Sequence, residues 1–236
     1  MKPDRYRDGA NSTVQGIKDL ILARGLHPGD PMPTEAVLVE ELGVSRSSVR
    51  EAVRTLVALD ILEVRHGTGT FVGSLSLRPL VEGMVFRGVL LPGDENAMLR
   101  EIIEVRTGLD MSLAPQIVER LSHGDADDLR ACVEGMKERA ARNEPFPQED
   151  RIFHLQMAQR LGNALYGQLV AAFWDIHTTV GPTLGAAPHQ ELTATALAHE
   201  RMLETALAGD LEGYQDAVRA HYDPILRLLT SWVAAS

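Results

Sequence analysis

Asp150 and His154 lie four residues apart in EDRIFHLQ, a spacing that sets a carboxylate and an imidazole one turn apart on the same helix face. Such a pair is half of a chelate. His199, in LAHERMLETALAGD, and His221, in AVRAHYDPIL, fall on two later helical stretches, and facing helices of a bundle are where such ligands can meet. Three imidazoles and one carboxylate suit a divalent ion, Zn first, with Ni, Mn or Fe as alternatives, and a five- or six-coordinate ion keeps positions open to a small chelating molecule. Taken singly the residues have plainer readings. A solitary His is more often a satisfied imidazole, and Asp150 stands where a first-turn carboxylate complements the helix dipole. An Asp/His site with open positions can also activate water, so a metal-dependent hydrolase or lyase is the alternative function. Against it, no general base accompanies the four ligands at motif-like spacing.

A second set of chemically suggestive residues stands near the other end of the chain. Arg46, Arg50 and Arg54 follow one another at four-residue spacing beside the apolar stripe Val49, Val53 and Leu56, so a helix over about 45–59 packs one side and presents a cationic one. An arginine-rich helix alone is more often a solvated face with i,i+4 pairs. Its neighbours change that weighting. Apolar spacing predicts one helix over 13–24, closed by Gly25, and a second over about 34–41, broken by Gly43; HPGDPMP turns the chain between them. Residues 61–72 read as a small hairpin with the Gly-rich tip HGTG. Three helices and a hairpin make a winged helix-turn-helix, whose third helix lies in the major groove of DNA while the wing grazes the minor groove. The candidates for contact with bases or phosphates are Arg46, Ser47 and Arg50 on the helix and His66, Gly67 and Thr68 on the wing.

The segment PGDPMPTEAVLVEELGVSRSSVREAVRTLVALDILEVRHGTGTFV resembles the DNA-binding domain of GntR-family bacterial transcription regulators almost end to end. The resemblance rests on GVSRSSVREAV and RHGTGTF, and it implies operator contacts by Arg46, Ser47, Arg50, His66 and Gly67. One position departs from the family pattern. Where the family usually has Arg or Lys after the Glu of its PSER-like stretch, PTEA places Ala36, which implies a missing phosphate contact.

After the linker 74–80 (SLSLRPL), nearly everything reads as helix: about 80–90, 95–121, 125–142, 147–161, 163–181, 190–208 and 210–232. Asp125, Asn163 and Asp210 stand where N-caps belong, and Gly124, Gly162 and Gly209 where the preceding helices stop. The expected fold class is therefore mainly α, an N-terminal winged helix-turn-helix followed by an all-α bundle of six or seven helices. The expected domains are 1–78, with the start of the linker, and 79–236. Charge divides the same way: residues 1–78 hold ten Lys/Arg against ten Asp/Glu, so the formal net charge of -10 comes wholly from residues 79–236. An acidic protein still binds DNA if its cations gather on one surface, because phosphate attraction is local and screened within about 10 Å. The single cysteine, Cys132, allows no intrachain disulfide and fits a reducing compartment. With no signal-like N-terminus and no apolar run of membrane length, the chain reads as soluble and cytoplasmic, with no membrane partner.

Over roughly residues 95–225 the chain is similar to the FCD ligand-binding domain of the FadR subfamily. The motifs that carry this are the Glu104-Val105-Arg106 stretch, the D-x-x-F-H pattern from Asp150 to His154, the Gly162-Asn163 pair, and His199 and His221 on consecutive helices. The resemblance implies a divalent metal held by Asp150, His154, His199 and His221 that helps bind a carboxylate effector inside the bundle. Arg106 has two readings, a bidentate partner of that carboxylate or an intrahelical partner of Asp110 at i+4. The functional expectation is a homodimeric, metabolite-responsive transcription regulator, a repressor by preference, reading a short inverted repeat and responding to an organic acid or sugar acid.

Overall fold

The computed structural model describes residues 4–90, 97–180 and 189–233. Residues 95, 96 and 181, included in the expected helices, and the side chain of His177 lie outside the described residues. The chain divides into two compact units, Met1–Leu80 and Val81–Ser236.

The first unit is built from α1 (Asp4–Ala23), α2 (Glu35–Leu42), α3 (Arg46–Ala58), β1 (Leu62–Arg65) and β2 (Gly69–Val72). Thr34 caps α2 and Ser45 caps α3, each side chain accepting a backbone N–H from the first turn, and Gly43 ends α2 in the left-handed region at φ 63. The apolar stripes meet in one core of Ile17, Ile21, Leu38, Val49, Val53, Leu56, Leu62 and Val72. The strands pair antiparallel, from Leu62 opposite Val72 to Arg65 opposite Gly69, and Gly67 turns the tip at φ 74, a conformation that costs glycine no steric penalty. The Pro-rich segment before α2 does more than turn. Gly29 and Met32 donate to the carbonyls of Val72 and Thr70, and Val72 donates to Asp30, so this segment runs against the free edge of β2.

Asp60 holds the base of the hairpin. Its backbone is left-handed (φ 56), and its carboxylate accepts from the Ser74 hydroxyl at 2.5 Å and the Ser76 N–H at 2.9 Å. Burial alone would raise its pKa, but these bonds and the nearby Arg78 hold it below the ordinary value. Gly73 donates to Ile61 O, and a Cβ at position 73 would lie 2.4 Å from Asp60 O. Only glycine fits there.

The second unit is all-α among the described residues: α4 (Arg78–Leu90, which begins in the first unit), α5 (Ala97–Leu121), α6 (Asp127–Ala141), α7 (Pro147–Arg160), α8 (Ala164–Val180), α9 (His189–Leu207) and α10 (Leu211–Val233). Asn163 caps α8 through the Tyr166 N–H and Asp210 caps α10 through the Gly213 N–H. Gly162 and Gly209 precede them with φ 66 and φ 73. Asp125 works differently, accepting from Asp127 N just before α6. A continuous core of Leu99, Ile117, Leu129, Met136, Phe153, Met202, Tyr214 and Val218 joins α5, α6, α7, α9 and α10, and α9 packs most extensively on α10. α10 continues through Pro224. No described helix is long and apolar enough to cross a membrane.

Candidate metal centre and DNA-reading surface

Asp150 occupies the first turn of α7 and His154 the next, His199 lies in the middle of α9, and His221 lies on α10. The core seats them: Phe153, fully buried, meets the His154 and His199 rings edge-on at centroid distances of 5.6 and 5.0 Å. The structure brings all four expected residues together. The Asp150 Oδ1 atom lies 3.3 Å from His154 Nε2 and 3.3 Å from His199 Nε2, and His154 Nε2 lies 3.2 Å from His221 Nε2. All three histidines are buried, with ligand atoms within 4.8 Å of one another.

The donor chemistry fits a cation. His199 Nδ1 lies 2.8 Å from the Thr195 carbonyl oxygen; a carbonyl only accepts, so Nδ1 carries a proton and Nε2 is the nitrogen left for a metal. Nε2 faces Asp150 Oδ1 at 3.3 Å, a contact that either an ion between them or a proton on Nε2 satisfies. Metal bonds of about 2.0–2.2 Å in tetrahedral or octahedral geometry separate neighbouring ligand atoms by about 2.8–3.6 Å; the Asp150–His154, Asp150–His199 and His154–His221 pairs fall in that range, and the histidine ligand atoms all lie within 4.8 Å of one another. Burial, with the charges of Arg106 and His199 against the attraction of Asp150, pushes His154 down to about 4. Burial and the other two histidines push His221 well below its ordinary value, and its Nδ1 is buried without a hydrogen-bond partner. Burial would raise Asp150, yet the charge of His199 and hydrogen bonds from His154 and His199 hold it well below the carboxylate range. Neutral His154 and His221 beside an ionised Asp150 are the protonation states that metal ligands require.

Arg106, on α5, is buried among the same side chains, and its Nε and Nη2 atoms have no hydrogen-bond partner. Asp110, one turn on, does not satisfy them: Arg106 Nε and Asp110 Oδ2 are 4.0 Å apart, beyond hydrogen-bond reach. Both Asp110 oxygens are engaged elsewhere, Oδ1 accepting from the Tyr166 hydroxyl and Oδ2 from the Tyr222 hydroxyl, each at 2.6 Å. Burial and proximity to Asp110 push Tyr166 upward, and burial lifts Tyr222 well above the ordinary phenol value, so both stay protonated donors. Tyr222 also bridges to the histidines, its ring 4.7 Å from that of His221 and 5.6 Å from the Arg106 guanidinium carbon. Sequence reasoning missed both tyrosines. Asp110 was visible as the i+4 neighbour of Arg106, but nothing in the chain announces which hydroxyls reach it from α8 and α10.

An open groove of about 300 Å³ lies elsewhere, lined by Ala194, Leu197, Arg201, Asp223 and Arg227. Its lining also includes Ala198 and Ala220, next in the chain to His199 and His221, but none of the four clustered residues. It is no part of the buried cluster.

In the first unit, Arg46, Ser47 and Arg50 are exposed on α3, and His66, Gly67 and Thr68 are exposed at the hairpin tip. Ser47 shares a 2.7 Å hydroxyl hydrogen bond with Ser45. Arg50 is neither solvated alone nor paired along its own helix: its Nε donates to Glu35 Oε2 at 2.9 Å, from the first residue of α2. Glu35 and Arg50 are fifteen positions apart, so only the folded helix pair reveals this contact. Ala36 is exposed on α2.

Comparison with known proteins gives a consistent picture. The family of bacterial regulatory proteins called gntR matches residues 10–72, and the FCD domain matches residues 101–224. Over 220 residues the chain is 28% identical to the Escherichia coli (strain K12) protein named "Putative L-lactate dehydrogenase operon regulatory protein", spanning 90% of this chain and 83% of that one. It is 24% identical over 190 residues to the galactonate operon transcriptional repressor of the same organism, spanning 80% and 83%. Among solved structures, Streptococcus agalactiae GntR superposes with a TM-score of 0.65 at 24% identity, over 92% of this chain and 99% of that one, a likeness of fold.

Proposed function

The chain belongs to the GntR-family transcription regulators that carry an FCD domain, and on that premise we propose that it is a metabolite-responsive repressor that binds a short inverted-repeat operator as a homodimer and senses a carboxylate at a divalent metal. That it is a DNA-binding transcription regulator rather than an enzyme follows from the family itself. The hydrolase or lyase reading is set aside on the same ground. The metal, the effector and the sign of regulation are our inference.

The observation that carries the sensing half is the convergence of Asp150, His154, His199 and His221 beside a buried Arg106 with two unpaired donors. A purely structural ion needs no such arginine. A bound divalent ion, Zn first and Ni, Mn or Fe as alternatives, would supply concentrated positive charge and open positions to carboxylate oxygens. Arg106 would take another carboxylate oxygen through its free Nε and Nη2, whose burial without a partner is otherwise costly. The phenols of Tyr166 and Tyr222 would keep Asp110 from claiming those donors.

In the reading half, α3 would enter the major groove, with Arg46, Ser47 and Arg50 near base edges and phosphates and with His66, Gly67 and Thr68 against the neighbouring minor groove. Two copies are needed to read two half-sites. An organic acid or sugar acid that prefers one arrangement of the paired heads changes operator affinity by linkage. Two relatives are named for operons of L-lactate dehydrogenase and galactonate, which supports a hydroxy acid as the effector class. The test is a thermal-shift screen of carboxylic and sugar acids on metal-loaded and chelated protein, followed by gel shifts with the operator. A carboxylate that raises the melting temperature only with metal present, and that alters the gel shift, is the expected result. Hits indifferent to chelation would contradict the proposal.

A further inference from the structure

The charges buried around the cluster do not cancel, and their surplus has a definite size. Asp150 and Asp110 each bring one negative charge, Asp110 as an acceptor on both oxygens. Arg106 brings one positive charge, and a divalent ion held by Asp150 and the three histidines brings two. Imidazoles that act as ligands are neutral, and Tyr166 and Tyr222 are neutral phenols because each donates its hydroxyl hydrogen to Asp110. Among the described residues, the loaded site is thus left with a single positive charge.

Resting on the reading of a metal-assisted carboxylate sensor, we propose that this surplus selects the effector class: the site takes a singly charged 2-hydroxy carboxylate and discriminates against the matching dicarboxylate. Asp110 is the specificity-determining residue. It makes no hydrogen bond to Arg106, so it leaves the guanidinium's donors free, yet its negative charge, 4.0 Å from Arg106 Nε, removes the attraction for a second anionic group. The tyrosine hydroxyls from α8 and α10 hold it in that position. Arg106 and Asp110 are only 7% and 4% exposed, so solvent cannot screen an extra charge there, and an uncompensated buried charge is strongly disfavoured. A dianion would have to bring a proton with it.

The test is calorimetric titration of the full-length metal-loaded protein with two matched pairs, lactate against malate and gluconate against glucarate, each in two buffers of different protonation enthalpy. The monocarboxylate of at least one pair should bind without net proton uptake. Its dicarboxylate should bind at least about tenfold more weakly and take up about one proton per site, the smallest effect that an uncompensated buried charge would give. Asp110→Asn keeps the shape and the acceptor for one phenol while raising the surplus by one charge. Its ratio of monocarboxylate to dicarboxylate affinity should shift at least about tenfold toward the dicarboxylate, and any difference in ligand size cancels in that comparison. If the variant does not fold, proton uptake by the wild type still decides. Equal or tighter binding of the dicarboxylate without proton uptake, or an unchanged ratio in Asp110→Asn, overturns the charge selection and leaves the carboxylate sensor standing. If none of the four acids binds in a metal-dependent way and the wider acid screen also finds none, the sensor reading itself fails, and this inference with it.

Discussion

Stripped of metal by a chelator, the second unit should lose stability steeply as pH falls from about 6.5 to about 4. His154 is the source that can be put in numbers. An ordinary imidazole titrates near 6.5, whereas in the fold this one is held at about 4. Between those values the unfolded chain binds a proton on His154 that the folded chain refuses. Unfolding therefore takes up protons, stability declines with falling pH, and the decline from this residue ends below the folded value. At about 1.4 kcal/mol for each tenfold change in proton activity, His154 alone removes about 3 kcal/mol across the window, and about 2 kcal/mol between pH 7.5 and pH 5. His221, also held low, acts in the same direction. Asp150 has the opposite chemistry: its folded value is depressed below 3.8, so its stabilisation is intact throughout this window and is lost only at more acidic pH. Against a typical stability of about 5–15 kcal/mol, the loss is easily measured. Both tryptophans, Trp174 and Trp232, belong to the second unit, so urea unfolding in chelator, followed by their fluorescence, reports on the right body. His154→Gln should flatten the profile by about the amount given. Parallel profiles for wild type and His154→Gln would refute the claim that burial keeps this imidazole neutral.

Three further substitutions have defined outcomes. His199→Ala should reduce bound metal at least about tenfold by elemental analysis while leaving operator affinity without effector unchanged; full metal content in the variant would remove His199 from the ligand set. Arg50→Ala should abolish the operator gel shift at concentrations that saturate wild type with the helical circular dichroism unaltered, and an unchanged shift would take Arg50 off the reading surface. Gly73→Ala forces a Cβ to within 2.4 Å of the Asp60 carbonyl oxygen, so the first unit should lose about 1–3 kcal/mol in chemical denaturation, and a neutral result would mean that the hairpin base yields.

The sequence displays its helices where local chemistry writes their ends. Asn163, Asp210, Gly162 and Gly209 do in the fold what their positions imply, because a cap is satisfied within three residues of itself. Asp125 falls one residue outside that pattern. The helix expected from residue 13 starts at Asp4, since RYRDGANS is too polar to show an apolar period. The edge pairing of residues 29–32 with β2 was hidden behind prolines that read as a turn. At the candidate site the metal-type residues were legible because few residue types bind cations, two of them share one helix face, and the D-x-x-F-H pattern with two later histidines resembles the FCD domain. The partners that tune the site were not. Thr195, Tyr166, Tyr222 and Glu35 are common residues whose meaning depends on which helices pack together, and that is a property of the tertiary structure.

The clasp at Asp60 has a mechanical consequence. With Ser74 and Ser76 fastened to a side chain that stands between the end of α3 and the start of β1, the hairpin is a closed ring and the chain leaving it has no slack before residue 77. Tension or torque arriving along the linker is therefore delivered at the root of the wing, beside the last turn of the arginine-bearing helix, and is not dissipated in loose backbone. A regulator that must convert a distant event into a change of grip gains most from rigidity at that joint.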